Sequence, residues 1–268
     1  MDHEAYRTID VARDGAVVKI TIRRPEKHNA LNNAAMLDLQ RAFGEIRLDR
    51  SIDAVVLTGA GDRAFSAGAD ITQYAGPTAD HDPDQRERQD LFYEVYRAPL
   101  DCHAPVIAKV NGYCVGGGLI LALYCDLRVA SDDAQFAVPV TEIGQIPTGG
   151  VTRRAMDLVG EAHAKELVYT AGYVDAADAE RIGLINRAVP EGDLDAAVDD
   201  LLAGIRGGGR EAVKRSKRAF ERAADAPDLE AARAVEADLW WEQFATDERR
   251  RLVDAFNEDD GDGGRDGE

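Results

Sequence analysis

Residues Pro105–Ser131 read PVIAKVNGYCVGGGLILALYCDLRVAS, and the order of elements in this stretch decides the fold. PVIAKVNG is a short apolar run closed by a glycine, the pattern of a strand covered on both faces. GYCVGGGL then turns the chain into an apolar helix, and LRVAS resumes as a second strand. A glycine turn at a helix start leaves backbone N–H groups unpaired at the positive end of the helix dipole. Such a turn can hold a developing negative charge. The helix that follows, LILALYCD, carries no acid or base in its first turn, so any proton transfer must be done by other groups.

The same alternation extends in both directions. GAVVKITIRR (Gly15–Arg24) alternates Val17, Lys19 and Thr21 against Val18, Ile20 and Ile22, which predicts a strand ended by Pro25. A helix follows, capped by Asn32 or Asn33, with Met36, Leu39, Phe43 and Ile46 on one face. DAVVLTG (Asp53–Gly59) is another buried strand, as is AQFAVP. Strands alternating with helices predict the α/β class. Tyr74–Asp90 is polar and reads as a surface loop running into a helix; His81, between Asp80 and Asp82, is expected to be solvated there and not to ligate metal. After Gly150 the chain turns helical, with LINRAVP as one more strand. Asp228–Phe256 reads as a long helical stretch, in which Trp240 and Trp241 point to packing or a subunit contact. These features divide the chain into a core over residues 1–200, a helical oligomerisation region over 201–257 and an acidic disordered tail over 258–268.

Net charge bounds the function. The 268 residues carry 50 acidic and 32 basic side chains, a formal charge of −18, which argues against a nucleic-acid binder. The lysines are Lys19, Lys27, Lys109, Lys165, Lys214 and Lys217; the other basic residues are arginine. Excess acid with little lysine points to a salt-loving source, where molar salt shortens the Debye length to roughly 3 Å and screens the self-repulsion. No apolar run reaches the length of a membrane span and MDHEAYRTID lacks a secretory pattern, so a cytoplasmic protein is expected. Cys102, Cys114 and Cys125 form no C-x-x-C pair and read as buried reduced thiols.

A second glycine turn, AFSAGADI (Ala64–Ile71), follows the strand AVVLTG. Neither turn is a dinucleotide fingerprint, a P-loop or a serine elbow, because G-x-G-x-x-G, G-K-[ST] and G-x-S-x-G are all absent there. No histidine pair has metal-ligand spacing, and no metal is expected. Each turn alone is a weak signal. Brought together, the two could hold an oxyanion between two N–H donors.

In their order along the chain, RRPEKHNALN, AVVLTGAGDRAFSAGADI, PVIAKVNGYCVGGGLILALYCDLRVAS, AQFAVPVTEIGQIPTGG, ERIGLINRAVP and FATDERRRLVDAF resemble the crotonase superfamily, the enoyl-CoA hydratase/isomerase group. The resemblance runs nearly end to end. It implies a spiral of ββα units with a C-terminal helical trimerisation region, assembled as a homotrimer or a dimer of trimers. It also implies a lyase or isomerase acting on an acyl-CoA thioester, with coenzyme A as part of the substrate and no separate cofactor. The thioester oxygen would sit between the N–H groups of Ala69 and Gly117. Coenzyme A would run along Lys27 and Ala30, then Ala67, Asp70 and Ile71, and Phe256 would reach the coenzyme A of a neighbouring subunit. The cluster Arg23, Arg24, Lys27 and His28 would attract its phosphates. The basic residues that the family carries just past Phe256 are replaced here by NEDDGDGG.

Hydratases of the family carry two glutamates, one acting as general acid and one as general base on a single water. By position these are Ile120 and Val140 in this chain. Glu142 does not substitute: an offset of two residues turns a helical side chain by roughly 200° and moves a strand position by about 6.5–7 Å. Thr148, after Pro147, would face the acyl group and could order a water; Asp126 reads as structural. Three functions stay open at this point: an enoyl-CoA hydratase/isomerase-like enzyme in which two-glutamate hydration is doubtful, a decarboxylase of a malonyl-type thioester, and a non-catalytic acyl-CoA binder for which Ile120 and Val140 line the acyl site.

Overall fold

The computed structural model describes residues 6–73 and 83–262. Most of Tyr74–Asp90, including Tyr74–Asp82 and hence His81, lies outside them. The chain divides into two units, Met1–Asp200 and Leu201–Glu268.

The first unit is organised by strands that alternate between two sheets. β1 (Ile9–Asp14), β2 (Val17–Ile22), β3 (Ala54–Gly59), β5 (Val106–Val110), β7 (Leu127–Ser131) and β10 (Arg187–Val189) form one sheet in the order β1-β2-β3-β5-β7-β10. β4 (Ala64–Ser66), β6 (Tyr113–Val115), β8 (Gln135–Ala137) and β9 (Val174–Asp175) form the other. The sequence of events is the same three times over. A strand of the large sheet leads to a short strand of the small sheet and then to a helix: β3, β4 and α2 (Pro83–Asp101); β5, β6 and α3 (Gly117–Leu123); β7, β8 and α4 (Val151–Tyr169). The pairings β3–β5, β5–β7, β4–β6 and β6–β8 are all parallel, so each turn of the chain stacks on the last. This is the expected spiral of ββα units. α1 (Asn33–Leu48) precedes the spiral, and α5 (Ala176–Arg181) and α6 (Leu194–Gly207) follow it.

Burial explains the apolar runs. All of β3 is buried, as is β5 apart from half-buried Lys109, because parallel strands are covered on both faces. α1 buries Ala35, Met36, Leu39, Ala42, Phe43 and Ile46. Asn32 caps it by accepting the Ala35 N–H at 2.8 Å, an interaction that stabilises a helix by typically ~1 kcal/mol. Asp126 accepts the Val106 N–H at 2.7 Å and fixes the start of β5, a structural role as expected. Cys102, Cys114 and Cys125 are buried and unbridged.

Four features differ from the sequence reading. β1 is not evident in the sequence: IDVARD is largely polar and sits at the sheet edge, paired antiparallel with β2. β4 and β6 have only three residues each, too few for a period of two to show. The long helical stretch Asp228–Phe256 is two helices, α8 (Leu229–Phe244) and α9 (Asp247–Asp262), after α7 (Arg210–Ala224). Thr246 breaks it, because its hydroxyl both donates to Gln243 O (2.8 Å) and accepts the Arg249 N–H (3.2 Å), starting a new helix. α9 also runs through Glu258–Asp262, the first part of the segment read as a disordered tail; extending an existing helix fixes one residue per hydrogen bond gained. Residues 263–268 lie outside the described region. Within the second unit, the Glu248 carboxylate receives the Glu211 and Ala212 N–H groups at the start of α7. Burial opposes its charge, but these donors hold its pKa below the usual range.

Candidate active site

The two glycine turns meet backbone to backbone. The first leaves β4 as Ala67-Gly68-Ala69-Asp70, the second leaves β6 as Gly116-Gly117-Gly118. Gly68 has φ 86°, and a Cβ on it would stand 2.6 Å from Val115 O and 2.7 Å from Gly117 N. A Cβ on Gly117 would stand 3.3 Å from Ala69 N and would fall on the hydroxyl of Tyr96. Only glycine permits this approach. The Ala69 and Gly117 amides are thereby brought to one small region, and among the described residues neither finds a backbone or side-chain acceptor. Unpaired donors at a buried or half-buried position are uncommon and call for a ligand or water.

The segment Arg24–Leu31 is laced to the first turn. Ala67 N–H donates to His28 O (2.9 Å), Leu31 N–H to Gly68 O (2.7 Å) and Asp70 N–H to Leu31 O (2.9 Å). Arg24 spans both strips, giving one hydrogen bond to Ala30 O (2.6 Å) and an ion pair to Asp70 (3.0 Å). The Asp70 carboxylate also accepts the Thr72 hydroxyl at 2.6 Å. That hydroxyl and Arg24 outweigh burial and hold its pKa below the ordinary value. Arg24 turns its guanidinium inward to Asp70 and Ala30, while Arg23 stays exposed and makes a surface pair with Asp10 at 2.9 Å. The exposed members of the basic patch are Arg23, Lys27 and His28. Ala67 and Ile71 are exposed, while Ala30 and Asp70 are buried. A cavity of about 850 Å³ lies against His28, Ala67 and Val115, but Ala69, Gly117 and Ile120 are not among its lining residues.

Tyr96, Ile120, Tyr124 and the Gly149-Gly150 turn form a third group. A Cβ on Gly149 would lie 2.7 Å from the Tyr96 ring and 3.3 Å from Ile120 Cγ2, and one on Gly150 would fall on the Tyr124 hydroxyl. Tyr124 donates to Gly149 O at 3.0 Å, and burial pushes its phenol pKa up. Arg154 ties α4 to the end of α3 through Leu123 O (2.8 Å). Ile120 is buried and Val140 half-buried against the core, so the two positions present hydrocarbon. Glu142 is exposed on the short turn Pro139–Ile143, as expected of a surface residue. Thr148 adjoins the Gly149 turn in sequence and is exposed. Phe256 is exposed on α9 in the second unit.

The model of the enoyl-CoA hydratase/isomerase family matches residues 12–261. The chain belongs to this family. It is 37% identical over 92% of its length to a short-chain-enoyl-CoA hydratase of Clostridium acetobutylicum, covering 93% of that protein. It is 35% identical over 95% of its length to a crotonyl-CoA hydratase of Syntrophomonas wolfei, covering 96% of it. Among solved structures, an enoyl-CoA hydratase from Bacillus anthracis superposes with a TM-score of 0.89 at 31% identity, covering 94% of this chain and 97% of that one. A putative enoyl-CoA hydratase from Streptomyces coelicolor superposes with a TM-score of 0.90 at 31% identity, covering 97% and 94% respectively.

For this family member, the structure brings Ala69 and Gly117 together and places Ala30, Ala67 and Asp70 along the strip beside Ala69. The sequence reading missed Tyr96. Its signal was Phe92 and Tyr96, four residues apart and buried on one face of α2, hidden behind a polar segment that drew attention to the loop.

Proposed function

We propose that this chain binds an acyl-CoA thioester and stabilises its enolate oxygen between the amide N–H groups of Ala69 and Gly117, as an enoyl-CoA hydratase/isomerase-type enzyme. The observation that carries the reading is that, among the described residues, both amides lack acceptors at the point where the two glycine turns touch. Hydration, isomerisation and decarboxylation of such a thioester all pass through an enolate, whose charge collects on the oxygen. Donors already in place there need no reorganisation, and losing one typically costs about 2.7–4 kcal/mol of barrier.

Coenzyme A is placed along Lys27, Ala30, Ala67, Asp70 and Ile71, with the ordered strip held by the Arg24–Asp70 pair and the phosphates met by Lys27. Phe256 is placed at the coenzyme A of a second subunit in a trimer or a dimer of trimers. No cofactor beyond the thioester's own coenzyme A is required. The acyl group lies against Ile120 and Val140, with Thr148 at the edge. Hydrocarbon at the positions of the two family glutamates means that water addition does not proceed by a carboxylate pair. We place the protein in the cytoplasm of a salt-loving organism; among the described residues no helix is long and apolar enough to cross a membrane.

The test is a substrate panel in molar salt: crotonyl-CoA, methylmalonyl-CoA and the inert analogue butyryl-CoA. Binding of butyryl-CoA with turnover of crotonyl-CoA is expected. Release of CO₂ from methylmalonyl-CoA instead would assign a decarboxylase, in which an apolar wall destabilises the substrate carboxylate. Failure to bind any of the three would remove the reading altogether.

A further inference from the structure

Resting on that reading, we propose that the Tyr96 hydroxyl is the acid that delivers a proton to the α-carbon of the thioester enolate. Its oxygen occupies the place where a Gly117 side chain would be, and the Ala69 amide nitrogen lies 3.3 Å from the same point. The phenol oxygen and the Ala69 amide are therefore neighbours beside Gly117. The α-carbon is one bond from the carbonyl carbon whose oxygen the two amides would hold, so it falls within the reach of this hydroxyl. A general acid must stand at about 2.6–3.2 Å from its acceptor, and among the described residues the Tyr96 hydroxyl is a side-chain donor placed beside the two turns.

The hydroxyl is also held there. Tyr96 is only 3% exposed. Its ring packs on Gly149, where a Cβ would come within 2.7 Å of it, and meets the edge of Phe92 at a centroid distance of 6.0 Å. Among the neighbouring groups, Ile120 and Val140 carry no proton to give, and Thr148 and Glu142 are exposed.

The step balances without a carboxylate. Water oxygen bonds the β-carbon as the C=C electron pair moves to form the enolate. The Tyr96 O–H bond breaks as the α-carbon–hydrogen bond forms. The surplus proton of the water passes to the phenolate, leaving Tyr96 as it began and one water added.

Tyr96→Phe keeps the ring against Gly149 and removes only the hydroxyl. The variant is expected to lose about 10²–10⁴-fold in kcat for crotonyl-CoA with butyryl-CoA affinity unchanged. Incorporation of 3,5-difluorotyrosine at position 96, which alters the acidity of the phenol with little change in its size, is expected to change kcat and leave that affinity alone. Wild-type kcat in Tyr96→Phe, or loss of affinity equal to the loss of rate, overturns the proposal. A native chain that binds butyryl-CoA but does not hydrate crotonyl-CoA overturns the protonation step while leaving the binding site standing. A native chain that binds neither overturns the reading of the site itself.

Discussion

The donor side of the candidate site and the wall facing it are built by opposite means. On the donor side, Gly68 and Gly117 bring two backbone segments within van der Waals contact, and side chains matter by being absent. On the wall, Tyr96, Ile120 and Tyr124 fill space with side chains, and the Gly149-Gly150 turn is shaped to fit them. A backbone donor has one direction and one chemistry. A wall position can become acid, base or hydrocarbon by a single substitution with the fold kept. Relatives named as hydratases at 35–37% identity share the scaffold, so differences in chemistry within it belong on the wall.

The largest effect is expected from breaking the donor side. Gly117→Ala drives a methyl onto the Tyr96 hydroxyl and to within 3.3 Å of the Ala69 amide. Crotonyl-CoA turnover should fall by about 10²–10³-fold, the usual cost of losing one donor. Melting temperature should fall as well, since overpacking a tight contact destabilises by roughly 1–3 kcal/mol. Retention of full turnover by Gly117→Ala would show that the contact between the turns does not matter to the chemistry. The complementary change sharpens the wall: Ile120→Glu with Val140→Glu should raise hydration at least about tenfold, because positioned acid–base groups contribute about 10²–10⁴-fold. A double variant that folds and binds butyryl-CoA with no gain would place the limit elsewhere than proton transfer.

A smaller effect is expected at the strip beside the donors. Arg24 and Asp70 have side-chain exposures of 14% and 9%, so removing one partner strands a largely buried charge. Arg24→Met should cost about 3 kcal/mol by chemical denaturation, at the low end for a broken buried pair, and should weaken butyryl-CoA binding in parallel. The sign of the pH effect follows from Asp70, whose pKa is depressed by Thr72 and Arg24. Its contribution to stability is fully present above the ordinary carboxylate pKa and is lost as pH falls through the lower folded value. Arg24→Met should flatten that acid limb of the stability curve.

The two sides were also unequally readable in the sequence. The glycine turns follow apolar strands β3 and β5 and could be located from local pattern, because close backbone approach needs glycine whatever surrounds it. Asn32 as a helix cap was readable for the same local reason. The pairing of Arg24 with Asp70 was not, since the two are 46 residues apart and a cluster of basic residues looks alike whether it faces solvent or an internal carboxylate. Tyr96 was hidden by the same lack of tertiary information: helical spacing shows that Phe92 and Tyr96 are buried on α2, but only the stacking of α2 on the second glycine turn shows what the hydroxyl meets. β4 and β6 escaped because three residues do not establish a period.

The smallest effect separates shape from chemistry on the wall. Tyr124→Phe removes one hydrogen bond, from the phenol to Gly149 O at 3.0 Å, and leaves the ring in place. A net loss of about 1 kcal/mol is expected in denaturant unfolding. The native phenol is pushed above its ordinary pKa by burial, so its contribution is complete below the unfolded value and disappears as pH rises through the folded one. Alkaline unfolding of the native chain should therefore show a step that Tyr124→Phe lacks. Turnover should change far less than in Tyr96→Phe, because Tyr124 holds the turn, whereas Tyr96 is proposed to act on the thioester. Equal losses of kcat in the two variants would mean that both tyrosines merely hold the wall in shape, and the contrast between a rigid donor side and a chemically active wall would fail there.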